Sequence, residues 1–180
     1  MKKTIIIGCL SIFIFAKCKK NPPEEQYYGY AKAEINGTMI NFNKVKGILL
    51  YALEDSIALS FERWDGLILR ESISILKIFK GTNAAQRIYK YDYSVNRLAR
   101  LSSGYYTFRD DGDVGCDTYN IYEPDSSQNK IIITSFNSQT KEIKGTFQAT
   151  YLIDQTRPKC RLSAPDTIRI RNGEFYTKIF

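Results

Sequence analysis

The 180-residue chain has no histidine, few prolines (5) and no apolar run long enough to span a bilayer. Without imidazole it has neither the commonest general base nor the commonest zinc ligand, which excludes Ser-His-Asp type triads and His-ligated metal centres. Five Pro and 11 Gly exclude collagen-like and low-complexity chains. The longest apolar stretch falls short of the roughly 18–20 residues of a spanning helix. What remains is 43% hydrophobic and 25% charged, with a mean hydropathy of −0.32. That composition predicts one globular domain with an ordinary core.

The first 17 residues read as an export signal. Lys2 and Lys3 precede Thr4 to Ala16, a mostly apolar run that stops just before Cys18. Charge, short apolar core and small residue follow each other in signal-peptide order. Residues 18–26 then read as a polar tether, and 27–180 as a single antiparallel β domain. Phe15-Ala16-Lys17-Cys18, followed by Lys19-Lys20-Asn21-Pro22-Pro23-Glu24-Glu25, resembles the lipobox and tether of bacterial lipoproteins, in particular the Cys-Lys-Lys start frequent in Bacteroidota. The resemblance implies a diacylated Cys18 as the first mature residue, membrane attachment through that lipid, and a place in the cell envelope at the outer membrane. Lys17 departs from the pattern, where Gly, Ala or Ser is usual. Two other processing sites compete: Gly8-Cys9, which leaves too short an apolar core, and ordinary cleavage after Cys18, which would release a soluble protein.

Cleavage before Cys18 removes Lys2, Lys3 and Lys17 and lowers the net charge from +7 to +4. Beyond Lys19 and Lys20 the remaining basic residues are spread from Lys32 to Lys178 without a cluster, so no nucleic-acid face is expected. Two cysteines are left once Cys9 and Cys18 are accounted for. In an oxidising compartment Cys116 and Cys160 should pair. No C-x-x-C motif or histidine stands by to activate either as a nucleophile.

From Tyr27 onward the apolar residues alternate with period two, and turn signals recur every 8 to 15 residues. This predicts an all-β fold of nine to ten antiparallel strands, either a β-sandwich or a partly closed β-barrel. Hairpins are expected at Asn36-Gly37, Asp65-Gly66 and Asn172-Gly173, and a helical turn is conceivable between Ala84 and Leu98. The clearest strand is Glu142 to Ile153, with Ile143, Gly145, Phe147, Ala149, Tyr151 and Ile153 on one face. Ala33-Glu34-Ile35-Asn36-Gly37, Gly145-Thr146-Phe147, Pro165-Asp166-Thr167-Ile168 and Asn172-Gly173-Glu174-Phe175 are similar to the opening and ending of a Bacteroidota lipoprotein family of unknown function. These are strand and turn motifs, so the resemblance implies location and fold and assigns no reaction.

Candidate chemistry is sparse. Asp110, Asp111, Asp113 and Asp117 form the one carboxylate cluster, but counting from Asp111 places Gly115 and Cys116 where an EF-hand loop needs a ligand and a glycine. The loop is therefore expected to be a solvated turn, and no metal or cofactor is expected. Tyr27, Tyr28 and Tyr30, and the alternating Tyr89, Tyr91 and Tyr93, could stack on glycans or line a ligand pocket, or simply fit a half-buried sheet. The expected function is a non-catalytic envelope lipoprotein that binds a protein, glycan or small molecule. The alternative is a hydrolase using a carboxylate pair such as Asp111 and Asp113, although G-x-S-x-G and S-x-x-K motifs are absent.

Overall fold

The computed structural model describes residues 26–50, 55–81, 83–91 and 100–180. The signal segment, Cys18 and most of the tether, together with Tyr93, lie outside the described residues.

The chain is all-β, as its alternation predicts. Eleven antiparallel strands form one sheet: β1 (Tyr30–Ile35), β2 (Thr38–Phe42), β3 (Lys44–Leu49), β4 (Ser56–Asp65), β5 (Ile68–Phe79), β6 (Gln86–Arg87), β7 (Ser102–Arg109), β8 (Val114–Ile121), β9 (Lys130–Phe136), β10 (Glu142–Ile153) and β11 (Thr167–Lys178). Their order is β2-β1-β11-β10-β8-β7-β5-β4-β3, with β9 paired to β10 and β6 to β9. The sheet curls without closing by a full ladder. Its two ends are nonetheless one continuous piece of chain, because β2 runs into β3 through Asn43 and changes partner from β1 to β4. A single parallel bridge from Gly47 to Ile179 marks the seam. An open barrel describes this better than two stacked sheets.

Asn36 and Gly37 both adopt positive φ, 49° and 86°, which is the type I′ geometry of a two-residue hairpin. Gly66, at φ 60°, and Leu67 close β4 to β5 in the same compact way. The third expected hairpin is absent. Asn172 (φ 51°) is in the left-handed region and Gly173 is not, and because the strand continues on both sides the pair makes a bulge rather than a reversal. The register slips there against both β1 and β10, and β11 runs on through twelve residues. Gly173 is needed for another reason, since a Cβ on it would lie 2.5 Å from the Phe147 carbonyl oxygen. Nor is a helical turn seen over the described part of 84–98: Gln86–Arg87 is strand β6, and Tyr89 bridges to Ser102.

One face of every long strand is buried. Phe61 packs 4.8 Å from Phe147 and 5.4 Å from Phe175, ring centre to ring centre. A group of tyrosines shares the interior with these rings. Tyr105 meets Tyr119 edge-on at 5.6 Å and Tyr151 at 5.9 Å. The buried Tyr151 hydroxyl is satisfied by Ser103 Oγ at 2.7 Å, as a buried polar group must be.

β10 is a fork. Its first half pairs with β9 and its last three residues with β8. Asn129, fully buried, bridges the split: its Oδ1 accepts the Thr150 amide at 2.8 Å and its Nδ2 donates to the Tyr122 carbonyl at 2.8 Å.

Candidate functional site

Four connections gather at one end of the open barrel: 36–37, 66–67, 110–113 and the long loop 154–166. Antiparallel order puts them there, because β1, β4, β7 and β10 all run toward that end. Below them the interior opens into a pocket of about 280 Å³, the usual place for a small-ligand site in a β-barrel fold. Ile35, Ile40 and Ile168 supply aliphatic wall, Tyr105 and Tyr119 the aromatic floor, and Arg161 part of the rim.

The disulfide shapes this mouth. Cys116 on β8 and Cys160 in the 154–166 loop are bonded at 2.05 Å with their Cα atoms 5.2 Å apart, bearing out the expected pair. Beyond Ile153, β10 no longer pairs with β8, and the loop takes over its edge. The Asp154 amide donates to the Thr118 carbonyl at 2.8 Å and the Cys160 amide to Asp117 Oδ1 at 2.8 Å. Arg161 Nη2 donates to the Phe108 carbonyl at 3.3 Å. Lys159 folds the loop back on itself through the Ala164 carbonyl, 2.8 Å, and Asp166, 2.7 Å. Asp154 anchors its start by accepting the Thr156 hydroxyl (2.7 Å) and amide (3.0 Å), which hold its carboxyl below the ordinary range.

The floor is polar beneath the rings. Arg63 Nη2 donates to Glu71 Oε1 at 2.6 Å, and Glu71 also faces the Tyr105 hydroxyl. The ion pair holds Arg63 protonated still more firmly than usual. Burial, reinforced by the Glu71 charge, pushes the Tyr105 phenol far above its ordinary range. The Tyr119 phenol is pushed up to about 12, chiefly by burial and then by the Asp117 charge, with Arg161 opposing. Both rings stay neutral over the physiological range and can donate as well as accept hydrogen bonds.

The four expected acidic residues are divided by the fold. Asp110 (φ 54°) and Gly112 (φ 92°) form the β7–β8 turn, and Asp111 Oδ1 accepts the Asp113 amide at 3.3 Å. These three aspartates are at the surface of the turn. Asp117 is buried further along β8, where it holds the Cys160 amide and its own amide donates to Thr107 Oγ1 at 3.0 Å. Among the described residues, the one group of three side chains close enough to share an ion is Cys116, Asp117 and Cys160, and there the two sulfurs are already joined to each other.

The tyrosines also separate. Tyr91 is buried. Tyr89 lies between Arg87 and Arg100, each 4.8 Å from its ring centre. Tyr27, Tyr28 and Tyr30 gather on the outer wall at the seam. Tyr27 donates to Glu62 Oε2 at 3.0 Å; that carboxylate, buried on the outer wall, also accepts Ser60 Oγ and Trp64 Nε1, each at 2.9 Å. Lys44 lies 3.6 Å above the Trp64 ring. The Tyr28 and Tyr176 hydroxyls are 3.2 Å apart, a contact that raises the Tyr176 phenol above its ordinary range.

Of the mouth residues, Cys116, Asp117 and Cys160 stand out in the sequence for their chemistry, and Ile35, Asn36, Pro165 and Ile168 only as parts of strand and turn motifs. Glu71, Tyr105, Tyr119 and Arg161 come from three strands and a loop, and alternation marks the strand residues as inward-facing without saying that they meet. Comparison with family models, curated proteins and solved structures finds no match for this chain.

Proposed function

We propose that the chain is a lipid-anchored cell-envelope domain that binds a small ligand at the barrel mouth and does not transform it. The observation that carries this reading is the pocket of about 280 Å³ whose rim is stapled in place by Cys116–Cys160. A rim fixed by a covalent bond preorganises a binding site and lowers the ordering cost of occupation. The two carboxylates near the floor are both held in structural contacts, since Glu71 pairs with Arg63 and Asp117 accepts the Cys160 amide. Asp111 and Asp113, the pair a hydrolase would use, sit on the exposed turn, with Asp111 accepting the Asp113 amide. This arrangement favours binding over hydrolysis. A disulfide also suits an oxidising compartment, in keeping with the export signal and the acylated Cys18 expected from the sequence.

Two measurements test the reading. Labelled palmitate should enter the parent chain but not Cys18→Ser, and the variant should leave the membrane fraction or remain unprocessed. Separately, small molecules from envelope extract that the protein retains should be identified by mass spectrometry and should be absent from Ala164→Trp, which places an indole in the mouth. Retention of the same compounds by a folded Ala164→Trp protein would remove the pocket from the proposal.

A further inference from the structure

We propose that the seam of the open barrel, the face where the chain arrives from Cys18, lies against the phospholipid surface that its acyl chains enter; this rests on the lipid-anchor reading above. Large apolar groups are exposed all round that point: Tyr28 (40%), Tyr30 (49%), Ile48 (42%) and Phe180 (41%). Backbone and ring contacts tie their segments together. The Tyr28 amide donates to the Val45 carbonyl at 2.8 Å and the Phe180 amide to the Gly47 carbonyl at 3.1 Å. Thr177 Oγ1 donates to the Tyr28 carbonyl at 2.8 Å. The rings of Tyr28 and Tyr30 both pack on Tyr176, at 5.6 and 6.2 Å.

The chemistry of the patch fits a headgroup layer. Tyrosine places an apolar ring and a hydroxyl where a bilayer turns from acyl chain to water. Lysines frame the rings: Lys44 stands 5.0 Å from the Tyr27 ring and Lys144 5.0 Å from that of Tyr176. Ammonium groups at that depth meet lipid phosphates. The acids there are largely occupied: Glu62 is buried under three donors, Glu174 pairs with Lys32 at 2.9 Å, and Glu142 faces the Tyr176 hydroxyl.

Nine residues lie between Cys18 and Tyr28, at most about 35 Å of extended chain. That tether keeps the domain beside the lipid, and the rings and lysines around the entry point select the face that meets it. β1 then carries the chain through six residues, about 20 Å, toward the mouth, which docking leaves clear of the bilayer.

The test uses the acylated full chain on vesicles of phosphatidylcholine and phosphatidylglycerol that include nitroxide-headgroup lipid. With Cys18 in thioether linkage and Cys116–Cys160 oxidised, an introduced cysteine is the one thiol open to an environment-sensitive dye. Dye at Ile48→Cys should be quenched at least about twofold more than dye at Leu162→Cys on the mouth loop, as expected for a ring-lined face resting in the headgroups. Adding Tyr28→Ser, Tyr30→Ser and Phe180→Ser should abolish that difference while the chain still floats with the vesicles. Equal quenching at 48 and 162 in a floating parent chain, or an unchanged difference in the triple variant, overturns the docking. A parent chain that does not float and carries no acyl group overturns the anchor reading, and the docking with it.

Discussion

The side chain of Asn43 pairs with the backbone of Trp64 as another strand would. Its Nδ2 donates to the Trp64 carbonyl at 2.8 Å, and its Oδ1 accepts the Trp64 amide at 2.8 Å. This happens at the residue where β2 becomes β3 and the chain passes from one edge of the sheet to the other. A backbone that bends there cannot keep the ladder going, and the amide side chain supplies the two missing bonds. Asn43→Ala should cost about 1–3 kcal/mol, measured as a lower urea midpoint with an unchanged m-value. Asn43→Asp keeps the acceptor but loses the donor and should fall between alanine and the parent. A midpoint in Asn43→Ala equal to that of the parent would mean that the bend is held by its neighbours alone.

Breaking the Cys116–Cys160 bond frees a loop closed over a sequence separation of 44. The chain-entropy relation puts the loss at about 4 kcal/mol. The Cys116→Ala, Cys160→Ala protein should unfold at correspondingly lower denaturant. Its amide exchange should also rise first in 154–166, because the Asp117 and Phe108 contacts remain but no covalent bond holds the loop. Uniform acceleration across the sheet would show instead that the bond stabilises only the whole fold.

Two glycines should respond to alanine for different reasons. At Gly173 a methyl would sit 2.5 Å from the Phe147 carbonyl oxygen and 2.7 Å from its ring, so Gly173→Ala should cost about 1–3 kcal/mol through overpacking. At Gly37 there is open space but φ is +86°, so Gly37→Ala should cost about 1 kcal/mol through backbone strain alone. Thermal melts separate the two through a third variant: Phe147→Leu should partly relieve Gly173→Ala and leave Gly37→Ala unchanged.

Alkali should unfold the domain in a defined window. Tyrosines in an unfolded chain ionise near 10, whereas burial raises Tyr119 to about 12 and raises Tyr105 and Tyr151 further. The unfolded state therefore sheds protons first, and stability falls as pH climbs from 10 through 12. The melting temperature should be flat below pH 9 or so and should drop steadily above 10. Phenolate absorbance should show the exposed tyrosines titrating ahead of unfolding and the buried ones together with it. Full phenolate absorbance in a still-folded protein at pH 11 would contradict this order.

Much of the fold was legible because β-structure writes itself locally. Asn36-Gly37 forms the turn that pair favours, and Glu142 to Ile153 is a strand with its alternation intact. Asn172-Gly173 has the same two letters and behaves differently, because its conformation is set by Phe147 and by two flanking strands, which no dipeptide encodes. The same limit hid the mouth. That Glu71, Tyr105 and Tyr119 share a floor depends on β5 lying beside β7 and β7 beside β8. The disulfide was readable by counting cysteines; that it fastens the rim of a pocket was not.

The position of β1 also has a mechanical consequence. β1 is flanked by β2 on one side and β11 on the other, and it runs toward the mouth. A pull on the chain ahead of Gln26, directed away from the mouth, acts along the strand axis. It loads both flanking ladders in shear, so their bonds must yield together. A peeling force, by contrast, would break them one at a time. Drag on the domain would thus meet its stiffest direction, and the weaker direction, sideways across the sparsely bonded seam at Gly47 and Ile179, would be spared.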